Sequence, residues 1–536
     1  MTVDGHIQLF PLVRVVLALA VGIVAGDALH DTVASWMWLC VLAAAVALAA
    51  VALWKWVHPV LQTSVLLVAV AVCGAWRVSV SSAGFDVAFG SGEETFTAVV
   101  ASPPVARGRT LRCELIVADG RLAGHRMYGY FARPVAKLLP GDGLTITSRV
   151  TDIVGKSSRG ASAGNAVRGV LSRNSNFDYR RWLRVHDIVA CTYVPSGQWC
   201  RTVVGLGRLS GLQRLQTSLG RTRHRLLVRC AESGMPEGTL ALVAAMTLGD
   251  RSMLAPELRE TYSVAGASHV LALSGLHIGI IYFLLSLVLV RGGRPSVMQA
   301  VVLVAVWGYV AMTGMPLSAV RSAIMLTAFS FAALLGRQRV SLNTLALSAL
   351  LILACSPQSL WDVGFQMSLL AVAGIIVLQG RFYRLLPLDF MMSHRLVGWC
   401  WSLVTVSLSA QIAVAPVVAY YFGRFSCYFL LSNFFAVPLA TALIYTSLVM
   451  YAASIWPWLQ GWLAMAVGWE VSALNGSLGW VASLPGASID GIDINGAQLA
   501  AIYVFIALVW LLLMYAGKLY RSAHGVKLGK YAGRKL

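Results

Sequence analysis

Charge is what this chain has least of. Asp, Glu, Lys and Arg supply 12% of its 536 residues, against about a quarter in an ordinary soluble domain, which excludes a chain built of soluble domains alone. Metal-ligand spacing is missing too. Of ten histidines the closest pair, His269 and His277, is eight residues apart, and no HxxxH pair, CxxC site or clustered His/Asp hydrolase motif can be drawn. No metal, cofactor or metal-dependent nuclease activity is expected, and the protein reads as a non-enzyme. Gly155-Lys156-Ser157 ends like a phosphate-binding loop, but Val150 stands where its first glycine belongs, so the match is chance and nucleotide energy would come from a partner. A cleaved signal peptide is not expected either, because the first apolar block is followed within a few residues by a second and a third without a clear small-residue cleavage site.

What is present is apolar. Hydrophobic residues make up 58% of the chain and the mean hydropathy is +0.73, arranged in blocks near the roughly 20 residues that span a bilayer. Three blocks fall at 9–29, 33–54 and 59–76, and nine more at 263–290, 297–314, 317–335, 342–355, 364–379, 396–420, 429–450, 459–484 and 497–516. The expectation is a polytopic α-helical membrane protein of about 12 spans. Lys55 and His58, Arg291 and Arg294, Arg337 and Arg339, Arg381 and Arg384, and the basic tail 517–536 all fall on one side. Asp27, Asp31, Asp490 and Asp493 fall on the other. The short-loop bias therefore places both termini in the cytoplasm and the chain in the inner membrane, with Arg424 as the one cation out of place.

Between the two membrane blocks, 77–236 reads as an inserted extracytoplasmic domain. Segments around 94–101, 109–117, 125–131 and 143–150 are β-prone and punctuated by Gly, Pro and Asp, which predicts short antiparallel strands closing a small β-barrel of OB-like type. About 23 Lys and Arg stand against about 10 Asp and Glu in this stretch. Aromatics are interleaved with the cations: Arg126, Tyr128, Tyr130 and Arg133, then Phe177, Tyr179, Arg180, Arg181 and Trp182. A positive groove with stacking rings suits single-stranded nucleic acid; a solvated basic face, or one lying on anionic headgroups, has the same composition. From Leu212 to Ala231 an amphipathic basic helix is expected, more often an interfacial element than a ligand contact. Cys191 and Cys200 bracket a turn-like Pro195-Ser196-Gly197, so they either form a cross-hairpin disulfide or remain two unpaired thiols.

In the second membrane block, 237–516, polar groups are few and each is a candidate for function. His269, Ser274 and His277 lie in the densest stretch, where Gly266 and Gly275 permit a broken helix of the kind that lines a cavity. Gly275 and Gly279 also form a small-xxx-small pair that lets another helix approach. A Ser274–His277 pair for covalent catalysis lacks a visible third member. Arg321 sits about a turn into an apolar helix, where it lines a passage or snorkels. Asp362 reads as an N-cap and Gln366 as the better cavity candidate. Gln411 before Pro416 and Asn433 before Pro438 line the passage or satisfy proline kinks.

Together, HVLALSGLHIG at 269–279, TLGDRS at 247–252, PLSAVRSAIM at 316–325, GFQMSLLAVAGI at 364–375 and NFDYRRWL at 176–183 resemble the ComEC family of competence DNA-uptake channels. The resemblance runs from the first spans to about residue 516. It implies a channel that takes one DNA strand from the extracytoplasmic side into the cytoplasm during natural transformation, with an OB-like loop domain and a central competence domain. The implied partners are single-stranded DNA, membrane lipid, a DNA-receptor protein outside, and a cytoplasmic ATP-driven motor or single-strand-binding protein inside. Many members continue into a carboxy-terminal domain resembling metallo-β-lactamases, which is not expected here. The runner-up reading is a transporter or exporter of another anionic polymer or solute.

Overall fold

The computed structural model describes residues 10–30, 32–54, 58–85, 92–133, 138–152, 178–204, 210–232, 234–289, 295–336 and 341–523. The chain opens on three apolar helices, α1 (Pro11–Ala28), α2 (Ser35–Trp54) and α3 (Pro59–Ala83). Gly22 and Gly26 of α1 lie directly on Ala71 and Ala75 of α3. A Cβ on Gly22 would fall 1.8 Å from the Ala71 carbonyl oxygen, so two small-xxx-small stripes let these backbones touch.

The inserted domain carries β1 (Glu94–Val100), β2 (Val105–Arg107), β3 (Thr110–Val117), β4 (Arg126–Ala132), β5 (Gly143–Ser148), β6 (Val150–Asp152), α4 (Tyr179–Val185), β7 (Ile188–Val194) and β8 (Trp199–Arg201). Strand by strand the sheet is an open path, β6-β7-β4-β3-β1-β5-β8, with β2 on β3. All neighbours are antiparallel except β4 and β7, which run parallel. Arg149 alone separates β5 from β6, so one bent strand pairs with β1 through its first half and with β7 through its second. At the bend the Ser148 and Thr192 hydroxyls bond at 2.6 Å. Alternation along the strands turns Cys113, Leu115, Phe131, Leu144, Ile146 and Val194 into one core. Burial first and the Glu114 charge second push the Cys113 thiol up to about 12, so it stays protonated and unreactive.

Of the two readings open for Cys191 and Cys200, the fold has the unpaired one: both are free thiols. Cys191 is registered on Thr151 and Cys200 on Thr145. Six positions along that bent strand, at about 3.3 Å each, exceed the roughly 7 Å between Cα atoms that a disulfide tolerates.

The helical part continues with α5 (Gly211–Glu232), α6 (Glu237–Thr247), α7 (Pro256–Val264), α8 (Gly275–Leu289), α9 (Pro295–Met312), α10 (Leu317–Leu334), α11 (Leu342–Cys355) and α12 (Val363–Tyr383). After a short α13 (Leu388–Ser393) come α14 (Arg395–Phe422), β9 (Arg424–Ser426), α15 (Phe429–Ala452), α16 (Pro457–Ser483), β10 (Ser488–Asp490) and α17 (Gly496–Ala523). Among the described residues, eight helices are long and apolar enough to cross a membrane, and shorter apolar helices accompany them. The expected span 263–290 is not one helix. It holds the last residues of α7, a non-helical stretch over 265–274, and α8.

Helix α5 is a strut rather than a free interfacial helix. Its first half grips the β-domain: Gln213 donates to the Gly124 carbonyl at 3.0 Å, Arg126 to Gln216 at 2.9 Å and Arg221 to the Gly141 carbonyl at 2.9 Å. Its second half grips the helical part. Arg223 donates to the Thr313 carbonyl at 3.1 Å and pairs with Asp250 at 3.7 Å, while Leu227 and Cys230 enter the α6–α15–α16 core.

Candidate functional site

The interrupted segment 265–274 is held by hydroxyl groups from distant elements. Ser426 of β9 donates to the Val264 carbonyl at 3.0 Å, Ser432 of α15 to Ala265 at 2.6 Å, and Ser318 of α10 to Leu273 at 2.5 Å. Backbone carbonyls left free by the break in the helix need such partners wherever water is excluded. Gly266 turns the chain at φ +79, with Ser426 Oγ 2.7 Å from where a Cβ would sit. Ser268 and His269 lie exposed on this segment.

At the head of α8 the Ser274 backbone N–H donates to His277 Nδ1 at 3.0 Å. Nδ1 is thus the acceptor and the ring proton sits on Nε2, inside the bundle. Among the described residues, this ring hydrogen-bonds to Ser274 and to no carboxylate. Gly275 packs on Ser322, whereas a Cβ on Gly279 would meet nothing within 4 Å; half of the expected small-residue contact exists.

Arg321 does not stand free. It is 7% exposed, pairs with Asp362, and Asp362 also accepts from the Gly364 and Phe365 backbone N–H groups as the N-cap of α12. Desolvation makes a lone buried cation expensive, and the carboxylate offsets part of that cost. Gln366 donates to the Leu360 carbonyl at 2.9 Å and lines a groove against α1 with Leu17, Val21 and Trp361. Gln411 is half-buried on α14, and Asn433 Oδ1 is buried with no partner among the described residues. Both prolines, Pro416 and Pro438, lie inside continuous helices.

Arg424, the cation that broke the loop-charge pattern, is neutralised. It bonds Glu260 of α7 at 2.8 Å and Ser263 at 2.9 Å, and pairs with Asp490 of β10. Sequence reading missed this because the partners lie 164 and 66 residues away.

Among the described residues, the loop-domain candidates are not gathered in one open stacking groove. Tyr128 is buried, Trp182 of α4 stacks on His186 at 4.0 Å, and both belong with Tyr130 to a cluster between α4 and the sheet. Arg181 faces the helical part, bonding Asp27 at 3.0 Å and lying 5.2 Å from the Trp361 ring centre. Arg126 is taken by α5, and Arg133 is exposed at the end of the β3–β4 pair. Phe177 and the Gly155-Lys156-Ser157 segment lie outside the described residues, as do the side chains of Tyr179 and Arg180. Sequence reading overlooked Tyr193, 52% exposed on β7.

An integral membrane protein is thereby defined, whose helical bundle carries an interrupted segment joined by a strut to an inserted β-domain. The chain belongs to the competence protein family: the model described as "Competence protein" matches residues 246–516. ComE operon protein 3 of Bacillus subtilis (strain 168) is 25% identical over 345 residues, covering 63% of this chain and 41% of the relative. The matched chain thus spans about two fifths of that relative's length. No solved structure matches.

Proposed function

We propose that this protein passes single-stranded DNA inward across the inner membrane during natural transformation. The observation that carries the reading is the interrupted segment 265–274 within a competence-family region. Half-helices and unwound backbone in a bundle mark the place where a polar solute is handled. Ser268 and His269 are exposed there, Ser274 and His277 begin the next helix, and Gln411 and Asn433 offer amides further along the route. Gln366 belongs to the rim of the bundle. These groups hydrate and release the strand without making or breaking bonds.

The β-domain, 77–236 with its strut, acts in this reading as an OB-like platform at the outer mouth of the 237–516 channel unit. The parallel β4–β7 pair and the bent strand shared between β1 and β7 support that assignment. Loops of the helical part expected outside, at Asp27, Thr313, Trp361 and Asp490, gather with the β-domain and α7. Both termini are then cytoplasmic, with a receptor protein outside and a motor or single-strand-binding protein inside as partners. In a cysteine-free background, Ser196→Cys should react with an impermeant maleimide in cells whose outer layers alone are opened. Reaction only after the inner membrane is permeabilised would invert the topology.

A deletion strain tests the function itself. Cells lacking the chain should take labelled DNA to the cell surface yet deliver none to the cytoplasm, and plasmid-borne protein should restore delivery. Undiminished delivery would sink the reading and leave export of another anionic polymer in its place.

A further inference from the structure

Register across the β-domain sets four side chains in one row. Arg112 on β3 lies opposite Tyr130 on β4, and Tyr130 opposite Tyr193 on β7. β6 pairs with β7 from Val150 opposite Thr192; Arg149, at the bend just before that pair, is the next residue toward Tyr193, and extending the register by one step would put it opposite that ring. Directly opposed residues share a face of a sheet. This is the outer face, because the alternate positions Cys113, Phe131, Val150 and Val194 fill the core. Tyr193 and Arg149 are exposed and Tyr130 and Arg112 half-exposed; Tyr130 has one side against the Tyr128–Leu183 cluster, which leaves only part of its ring to the row. The Arg112 guanidinium carbon lies 4.6 Å from the centre of the Tyr128 ring, a cation–π contact that anchors it. Arg109 and Arg133 stand exposed at the nearby end of the same two strands.

We propose that the row Arg112–Tyr130–Tyr193–Arg149 is a stacking track for single-stranded nucleic acid, crossing the strands rather than running along one. It rests on the transport reading above and names the surface that first takes the strand. Two cations flanking two rings match what an unpaired strand offers, phosphates outside and base faces within. At about 4.8 Å between strands the row is about 14 Å long, the reach of a few stretched nucleotides. A duplex hides its base faces and would leave Tyr193 unused. Nothing in the row reads base edges, so binding is tolerant of sequence.

The test uses the full-length protein in lipid nanodiscs with a fluorescein-labelled oligothymidylate. Tyr193→Ala should weaken binding about tenfold, the scale of one lost base–ring stack, while Tyr193→Phe should bind as the parent does. Arg149→Glu should weaken binding and make the salt dependence shallower by about one unit of slope. Equal affinity for Tyr193→Ala and the parent would overturn the track, as would a duplex or heparin binding as tightly as the single strand. A protein that delivers DNA normally with Tyr193→Ala and Arg149→Glu combined would remove the track and leave the transport reading standing. Binding through the row in a strain that delivers no DNA with the intact protein would do the reverse.

Discussion

Asp362→Ala should be the most damaging single change in the helical part. The residue is 8% exposed and holds two things at once: the charge of Arg321 and the first backbone N–H groups of α12. Removing the carboxylate leaves a buried guanidinium unpaired, a loss of about 3–5 kcal/mol, and an uncapped helix end adds about 1 kcal/mol. Protein abundance in the membrane and thermal unfolding in detergent should both fall sharply. Arg321→Ala should fall by less, because the orphaned carboxylate keeps its two backbone donors. The pair Arg321→Met with Asp362→Asn should recover most of the loss, since asparagine still caps the helix and no charge remains. Arg321→Ala that inserts and unfolds as the parent does, but delivers no DNA, would return Arg321 to the passage.

Removing the hydroxyls that hold the interrupted segment should have the second largest effect. Ser426→Ala, Ser432→Ala and Ser318→Ala each leave a carbonyl of the 264–273 region without its partner, at about 0.6 kcal/mol on the average for such bonds in membranes and up to about 1.7. The triple variant should therefore lose about 2–5 kcal/mol and all DNA delivery, with single variants losing part of each. Gly266→Val should resemble the triple, because a branched side chain at φ +79 would meet Ser426 and is strained by its backbone alone. A triple variant delivering DNA at the parental rate would mean that the shape of 265–274 does not matter to transport.

The spans were legible because their signal is local: a block of apolar residues must be about as long as the bilayer is thick. The break in the first span of the second block was half legible, through Gly266 and Gly275. What fixes it was not, since Ser426 and Ser432 are some 160 residues away in the chain. Arg321 illustrates the same limit. An isolated cation in an apolar run looks like a passage residue until the acid 41 residues later is found beside it. In the β-domain the strands followed from alternation and turn residues, but the row that places Tyr193 beside Tyr130 depends on a parallel pairing that no local pattern encodes. Interleaved rings at 126–133 and 177–182 suggested one groove; the fold instead packs Tyr128 and Trp182 together between α4 and the sheet and sends Arg181 to the helical part.

The most direct test of the route past the interrupted segment is a cross-link to DNA in transit. A photoreactive amino acid at position 269, in place of His269, should form a covalent adduct with the incoming strand in transforming cells. The same group in place of Phe505, exposed on the outer surface of α17, should form none. Adducts at 269 that appear with donor DNA and vanish when uptake is blocked are the predicted result. Normal transformation with no adduct at 269, or equal adducts at 269 and 505, would contradict a passage along 265–274.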